Sequence, residues 1–224
     1  MLNDLKKWLY RRLALNFMTA GKPDKAEKWY KRLERFEPES LEVLHNLGVI
    51  YIAINKHAEA EKYLHKEIDL YGESEIRDRV LGDLYYVSGN REMAGRFYGK
   101  ALSLLQSGSK DKSTERFLRR RIKQCSELQS YKKALEGMKY FEEGAAFYSK
   151  GDYDEALRSY NKAVRCDNTS YMAMNAAGTL LMNNIKDYEQ AREFFRKALE
   201  LADIPLVKHN LALAENRLKG NGGK

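Results

Sequence analysis

The sequence predicts an all-α protein built as a solenoid of antiparallel helix pairs. Two observations carry that expectation. Tyr153, Ala156, Leu157, Tyr160, Ala163 and Val164 recur three and four residues apart, which places them on one helical face. The alanine near the start of this helix also recurs, as Ala26, Ala60, Ala94, Ala156 and Ala191. The separations are 34, 34, 62 and 35 residues, so three match one repeat length within one residue and the remaining one exceeds it by 28. A single amphipathic pair of this size cannot bury its apolar face alone, so neighbouring copies must stack.

Other residues travel with these alanines. Upstream stand Leu13-Ala14 with Phe17, Leu47-Gly48 with Tyr51, Leu81-Gly82 with Tyr85, Glu143-Gly144 with Phe147, and Ala177-Gly178 with Leu181. Downstream stand Tyr30 and Leu33, Leu64, Tyr98 and Ala101, Tyr160 and Ala163, then Phe195 and Ala198. Between the two helices lie turns such as Lys150-Gly151-Asp152, where glycine supplies a permissive backbone and Asp152 or Asp154 can cap the next helix. This pattern resembles the tetratricopeptide repeat (TPR), a 34-residue helix-turn-helix unit. The resemblance covers nearly all of the chain. It implies an α-α superhelix, right-handed, of about five repeats plus a C-terminal capping helix, with the first helices lining a concave face. Departures are Glu67 where a small residue is usual, Glu143 where leucine is usual, and one extra residue in Asn183-Asn184-Ile185-Lys186.

In chain order, residues 1–6 read as a lead-in. Residues 7–108 form a first array of three copies, with turns at Gly21-Lys22-Pro23-Asp24, Asn55-Lys56-His57 and Gly89-Asn90-Arg91. Residues 109–136 break the period as a basic helical insert. A polar loop, Ser107 to Asp111, precedes it, Ser113 or Thr114 can start its helix, and Phe117, Leu118, Ile122, Cys125 and Leu128 form its apolar stripe. The insert is either a single helix capping the first array or a degenerate repeat, and it could also lie in the second groove. The lack of a small-residue signature favours the cap. Residues 137–204 form a second array of two copies. A capping helix over 205–218 follows, with Leu211, Ala212 and Leu218 inward, and 219–224 is expected to be disordered.

Composition narrows the function classes. No segment reaches the roughly 18 consecutive apolar residues that cross a bilayer. Lys6, Lys7, Arg11 and Arg12 interrupt the apolar core that a signal peptide needs, so cytoplasmic residence is the default. Cys125 and Cys166 form no paired motif and read as ordinary thiols. The four histidines show no metal-ligand spacing, and no helix follows the Gly-rich tail to present donors to a phosphate. No enzyme, cofactor or metal is therefore expected.

What remains is partner binding, argued from the groove rather than the fold. The resemblance implies that the first helices present Arg11, His45, Asn46, Val49, Arg79, Asp83 and Tyr86 in the first array. In the second it implies Met138, Phe141, Asn175 and Met182. Such a mixed groove suits an amphipathic helix or an extended peptide. Trp8, Met18 and Ile76 either line it or pack on the neighbouring repeat. Co-chaperone TPRs clamp a C-terminal carboxylate, and the matching positions here are Arg11, Leu15, Asn46, Ile76 and Val80. Only Arg11 and Asn46 suit a carboxylate, so that clamp is disfavoured. The expected function is a non-catalytic scaffold or adaptor for another protein, with self-association as a secondary expectation. The competing reading rests on charge. Residues 110–133 carry nine Lys or Arg against three acids, including Arg116, Arg119, Arg120, Arg121 and Lys123. Such a segment could meet nucleic acid, an anionic membrane or an acidic protein.

Overall fold

The computed structural model describes residues 2–108 and 111–221. Among these residues it contains twelve α-helices, one short π-helical segment and no strand. The chain divides into two compact units, the first ending at Leu104 and the second beginning at Leu105.

The first unit is built from three helix pairs. They are α1 (Leu2–Thr19) with α2 (Pro23–Glu34), α3 (Leu41–Ala53) with α4 (His57–Tyr71), and α5 (Glu75–Val87) with α6 (Arg91–Gly108). The expected lead-in over 1–6 is already helical from Leu2. Each second helix buries the row that the repeat predicted: Ala26, Tyr30 and Leu33 in α2, Ala60 and Leu64 in α4, and Ala94, Tyr98 and Ala101 in α6. The small residue of each first helix permits this contact. A Cβ on Gly48 would lie 2.5 Å from Leu64 Cδ2, and one on Gly82 would lie 2.6 Å from Tyr98 Cδ1. Close-packed interiors leave no room for that overlap. Glu67, the departure from a small residue, is buried in α4, and His45 Nδ1 on α3 stands 3.2 Å from both of its carboxylate oxygens. A polar partner on the facing helix is what allows the larger side chain there.

The second unit holds α7 (Lys112–Ser126), α8 (Leu128–Lys150), α9 (Tyr153–Cys166), α10 (Tyr171–Leu180), the π segment Leu181–Ile185, α11 (Tyr188–Leu199) and α12 (Pro205–Asn221). Asp111, rather than Ser113 or Thr114, caps α7 by accepting both of their backbone N–H groups. Those bonds, with the two hydroxyls, hold its carboxyl below the usual range. Only the extended Glu127 separates α7 from α8, and α8 runs unbroken through the expected boundary at 136/137. Of the segment expected as an insert, residues 109–110 lie outside the described residues and the rest falls in α7 and the opening turns of α8. Gly151, at φ 80°, ends α8, and Asp152 caps α9 through the Glu155 N–H. The same glycine-to-ring contact recurs, at 2.6 Å from Gly144 to Tyr160 and 2.7 Å from Gly178 to Phe195. Phe141, Phe147 and Leu157 pack around Ala156, Tyr160, Ala177 and Leu180.

Two local features depart from a uniform repeat. The extra residue near Asn183 is absorbed by the π segment, whose wider turn takes one residue more than an α-turn. Lys186 then ends it in the left-handed conformation, at φ 69°. The last helix runs to Asn221, so 219–221 are helical rather than disordered, and 222–224 lie outside the described residues. Its inward side is Val207, Asn210 and Ala214, with Leu211 and Leu218 half-buried, whereas Ala212 is exposed. Spacings of three and four from Val207 select the first five positions and skip Ala212. No helix among the described residues is long and apolar enough to cross a membrane.

Candidate functional site

In the first unit, the polar residues expected to meet a ligand also bond within the protein, some across helices and some within one. The Arg11 guanidinium on α1 donates to Glu42 Oε2 on α3 at 2.6 Å and to Glu37 Oε2 at 2.9 Å. His45 faces Glu67, and Asn46 donates its amide to the Glu42 carbonyl at 2.8 Å. Arg79 donates to Glu75 one turn earlier at 2.9 Å, and Asp83 accepts the Tyr98 hydroxyl at 2.7 Å. Val49 is half-buried. Tyr86 does not reach the surface at all: it is 1% exposed and meets the Tyr98 ring edge-on at 6.2 Å. What this face leaves open is apolar, namely Trp8, Leu15 and Ile76. Trp8 and Ile76 are therefore not consumed in repeat-to-repeat packing, and the Arg12 guanidinium lies 5.2 Å from the Trp8 ring centroid.

The first helices of the second unit, α8, α10 and α12, also leave apolar side chains open. Tyr148, Met172, Leu206 and Leu213 are all exposed, with Met172 at 57% and Leu206 at 60%. Ala145 and His209 are exposed beside them, and Met138 and Thr179 are half-buried. Asn175 accepts from Asn210 Nδ2 at 3.4 Å, which links α10 to α12. Phe141 is half-buried and packs on Tyr160 with ring centroids 5.8 Å apart, and Met182 is buried in the π segment.

The basic residues of α7 point in different directions rather than forming one patch. Arg116 donates to the Glu200 carbonyl at 3.1 Å, at the C-terminal end of α11, and Arg120 donates to the Asn168 carbonyl at 3.2 Å, just past α9. Cations suit these sites because the last carbonyls of a helix lack internal partners and carry its negative dipole end. Arg121 pairs with buried Asp167 at 3.3 Å and lies over Phe117, which meets Tyr171 edge-on. Arg119 pairs with Glu115 on the exposed side at 2.7 Å, and Lys123 is exposed. Three arginines therefore dock α7 onto the rest of its unit. Their partners lie at the α9–α10 loop and at the end of α11.

Sequence profiles described as tetratricopeptide repeat match residues 11–75, 138–170 and 173–204, together more than half of the chain. The chain belongs to the tetratricopeptide-repeat family. Stress-induced-phosphoprotein 1 of Caenorhabditis elegans is 21% identical over 160 residues, covering 64% of this chain and 47% of that protein. The photosystem I assembly protein Ycf3 of Cyanophora paradoxa is 33% identical over 87 residues, covering 37% and 49%. The chain thus spans less than half the length of these relatives. Among solved structures, a MamA protein is 20% identical, covering 89% of this chain and 98% of that one, with a TM-score of 0.41. TPR proteins generally mediate protein–protein interactions and are generally non-catalytic scaffolds.

Within the TPR frame, the carboxylate clamp weakens further. Arg11 and Asn46, the two positions of suitable chemistry, are engaged within the chain, while Leu15 and Ile76 are exposed and Val80 is buried. Two features escaped sequence reasoning. Asp78 is fully buried, although its spacing from Leu81, Gly82 and Tyr85 already places it on the inward stripe of α5. Arg165 and Lys133 share a cavity with Lys123, a neighbourhood that no sequence interval announces.

Proposed function

We propose that this TPR protein is a non-catalytic scaffold that holds an apolar segment of another protein on the first-helix face of its second unit. One observation carries the proposal: Tyr148, Met172, Leu206 and Leu213 stay exposed on three first helices. Covering such side chains stabilises a complex by about 25 cal/mol per Å² of apolar surface. Methionine adapts its shape to varied partners, and His209 supplies a polar margin for an amphipathic helix or an extended peptide. The reading includes cytoplasmic residence and the division into arrays over 7–108 and 137–204. Self-association through the same face is its secondary form. Nucleic acid or membrane binding by the whole α7 surface is less favoured, because Arg116, Arg120 and Arg121 are occupied in docking the helix.

Affinity capture with the full chain and with Met172→Glu/Leu213→Glu, read by mass spectrometry, tests the assignment. Both positions are exposed, so circular dichroism should be unchanged. A partner held by the wild type should bind the double variant roughly tenfold or more weakly. An undiminished set of partners would place the binding face elsewhere.

A further inference from the structure

Where α7, the start of α8 and the last turn of α9 meet, the second unit contains a cavity of about 250 Å³. Four cations line it: Arg120, Lys123, Lys133 and Arg165. No carboxylate does. Elsewhere in the chain basic residues are commonly answered by an acid, as in Lys7 with Glu37, Lys56 with Glu27 and Arg196 with Glu215. Here the adjacent acid is turned away. Asp167 is buried beneath the cavity, where it takes Gln124 Nε2 at 2.9 Å, the Thr169 hydroxyl and Arg121. Glu127 is occupied by the Ser130 hydroxyl at 2.7 Å and is not among the lining residues. Lys123, Lys133 and Arg165 have no ion-pair partner among the described residues.

Like charges gathered into one concavity repel one another, and the same field draws in an anion. Guanidinium and ammonium groups are the donors that suit phosphate oxygens. The floor is fixed, because Gln124, 9% exposed, bridges α7 to Asp167 and Asn168, and Arg120 bonds the Asn168 carbonyl. We propose that this cavity is a binding site for a small soluble ligand carrying two or more adjacent phosphate groups. Arg120 keeps its charge although one of its nitrogens bonds Asn168, and with Lys123, Lys133 and Arg165 the four cations exceed the charge of a single phosphate and match that of a linked pair or triplet. None of its lining residues belongs to the apolar set Tyr148, Met172, Leu206 and Leu213.

Cys166 lines the cavity and is partly exposed, whereas Cys125 is buried, so alkylation of Cys166 reports occupancy. The full chain is titrated with inorganic tripolyphosphate at low salt, by calorimetry and by Cys166 alkylation rate, with orthophosphate in parallel. Tripolyphosphate should bind more tightly than orthophosphate and slow the alkylation. Lys133→Gln/Arg165→Gln should weaken binding roughly tenfold or more, and added salt should weaken it in the wild type. Lys162→Gln/Lys197→Gln, exposed cations of the same unit outside the cavity, should leave it unchanged. The proposal fails if tripolyphosphate does not bind, or if the two double variants lose affinity equally. It also fails if only single-stranded RNA or anionic vesicles bind, since the ligand would then be an extended polyanion or a membrane.

Discussion

Asp78 and Glu67 are both carboxylates buried at helix contacts in the first unit, and their surroundings treat them differently. Glu67 has the His45 ring at 3.2 Å, whereas neither oxygen of Asp78 has a hydrogen-bond partner. Burial, then the charge of Glu73, push the Asp78 carboxyl up from 3.8 to about 6, against weaker pulls from Lys100 and Arg77. The folded state therefore prefers the protonated form. Its stabilising contribution is full below 3.8 and is lost as pH rises through about 6. Asp78→Asn removes the ionisation, so it should stabilise the first unit near neutral pH by about 2–3 kcal/mol and do little at acid pH. Urea unfolding of wild type and variant across that range checks the sign, and a parallel pair of curves would refute it. Asp78 was readable as buried from its helical interval. Its isolation was not, because the absence of a partner depends on which side chains the facing helices bring.

At the scale of the element, one contact recurs. A first-helix glycine meets a large side chain of its second helix in four pairs, including Gly144 against Tyr160. Alanine favours a helix over glycine by about 1 kcal/mol, yet a methyl at Gly144 would lie 2.6 Å from a buried ring. Overpacking of this kind costs about 1–3 kcal/mol and outweighs the propensity gain. Gly144→Ala should therefore lower stability. Gly99→Ala in α6 is the internal control, since nothing lies within 4 Å of its added Cβ, and it should stabilise by roughly 0.5–1 kcal/mol. Opposite signs in thermal unfolding are the expected result. These contacts were legible because they repeat with the period. The route of α8 across residue 136 was not, since no breaker marks where an insert ends and a repeat begins. The extra residue near Asn183 was visible as a count, while its π-helical form depended on keeping both Leu181 and Met182 buried.

For the whole molecule, each helix of a solenoid is covered by its neighbour. In the second unit α12 covers α11, burying Val207 and Ala214 and pairing Arg196 with Glu215 at 2.9 Å. A chain ending at Asp203 should lose about 2–4 kcal/mol, by analogy with exposing one or two buried aliphatic side chains. Hydrogen exchange should show the loss as faster exchange of α11 amides, and unchanged protection there would contradict the covering contact. By itself the sequence determined the all-α class, the 34-residue period and the residues packed inside each pair, because each of these follows from spacing along one helix or between adjacent helices. Only the tertiary structure decided which polar groups are ties and which surfaces stay open. No interval pairs Arg11 with Glu37 and Glu42, and none brings Arg165 to the cavity it shares with Arg120 and Lys133 of the basic segment. Spacing fixes the face on which a residue sits, but the crossing of helices fixes what stands opposite it.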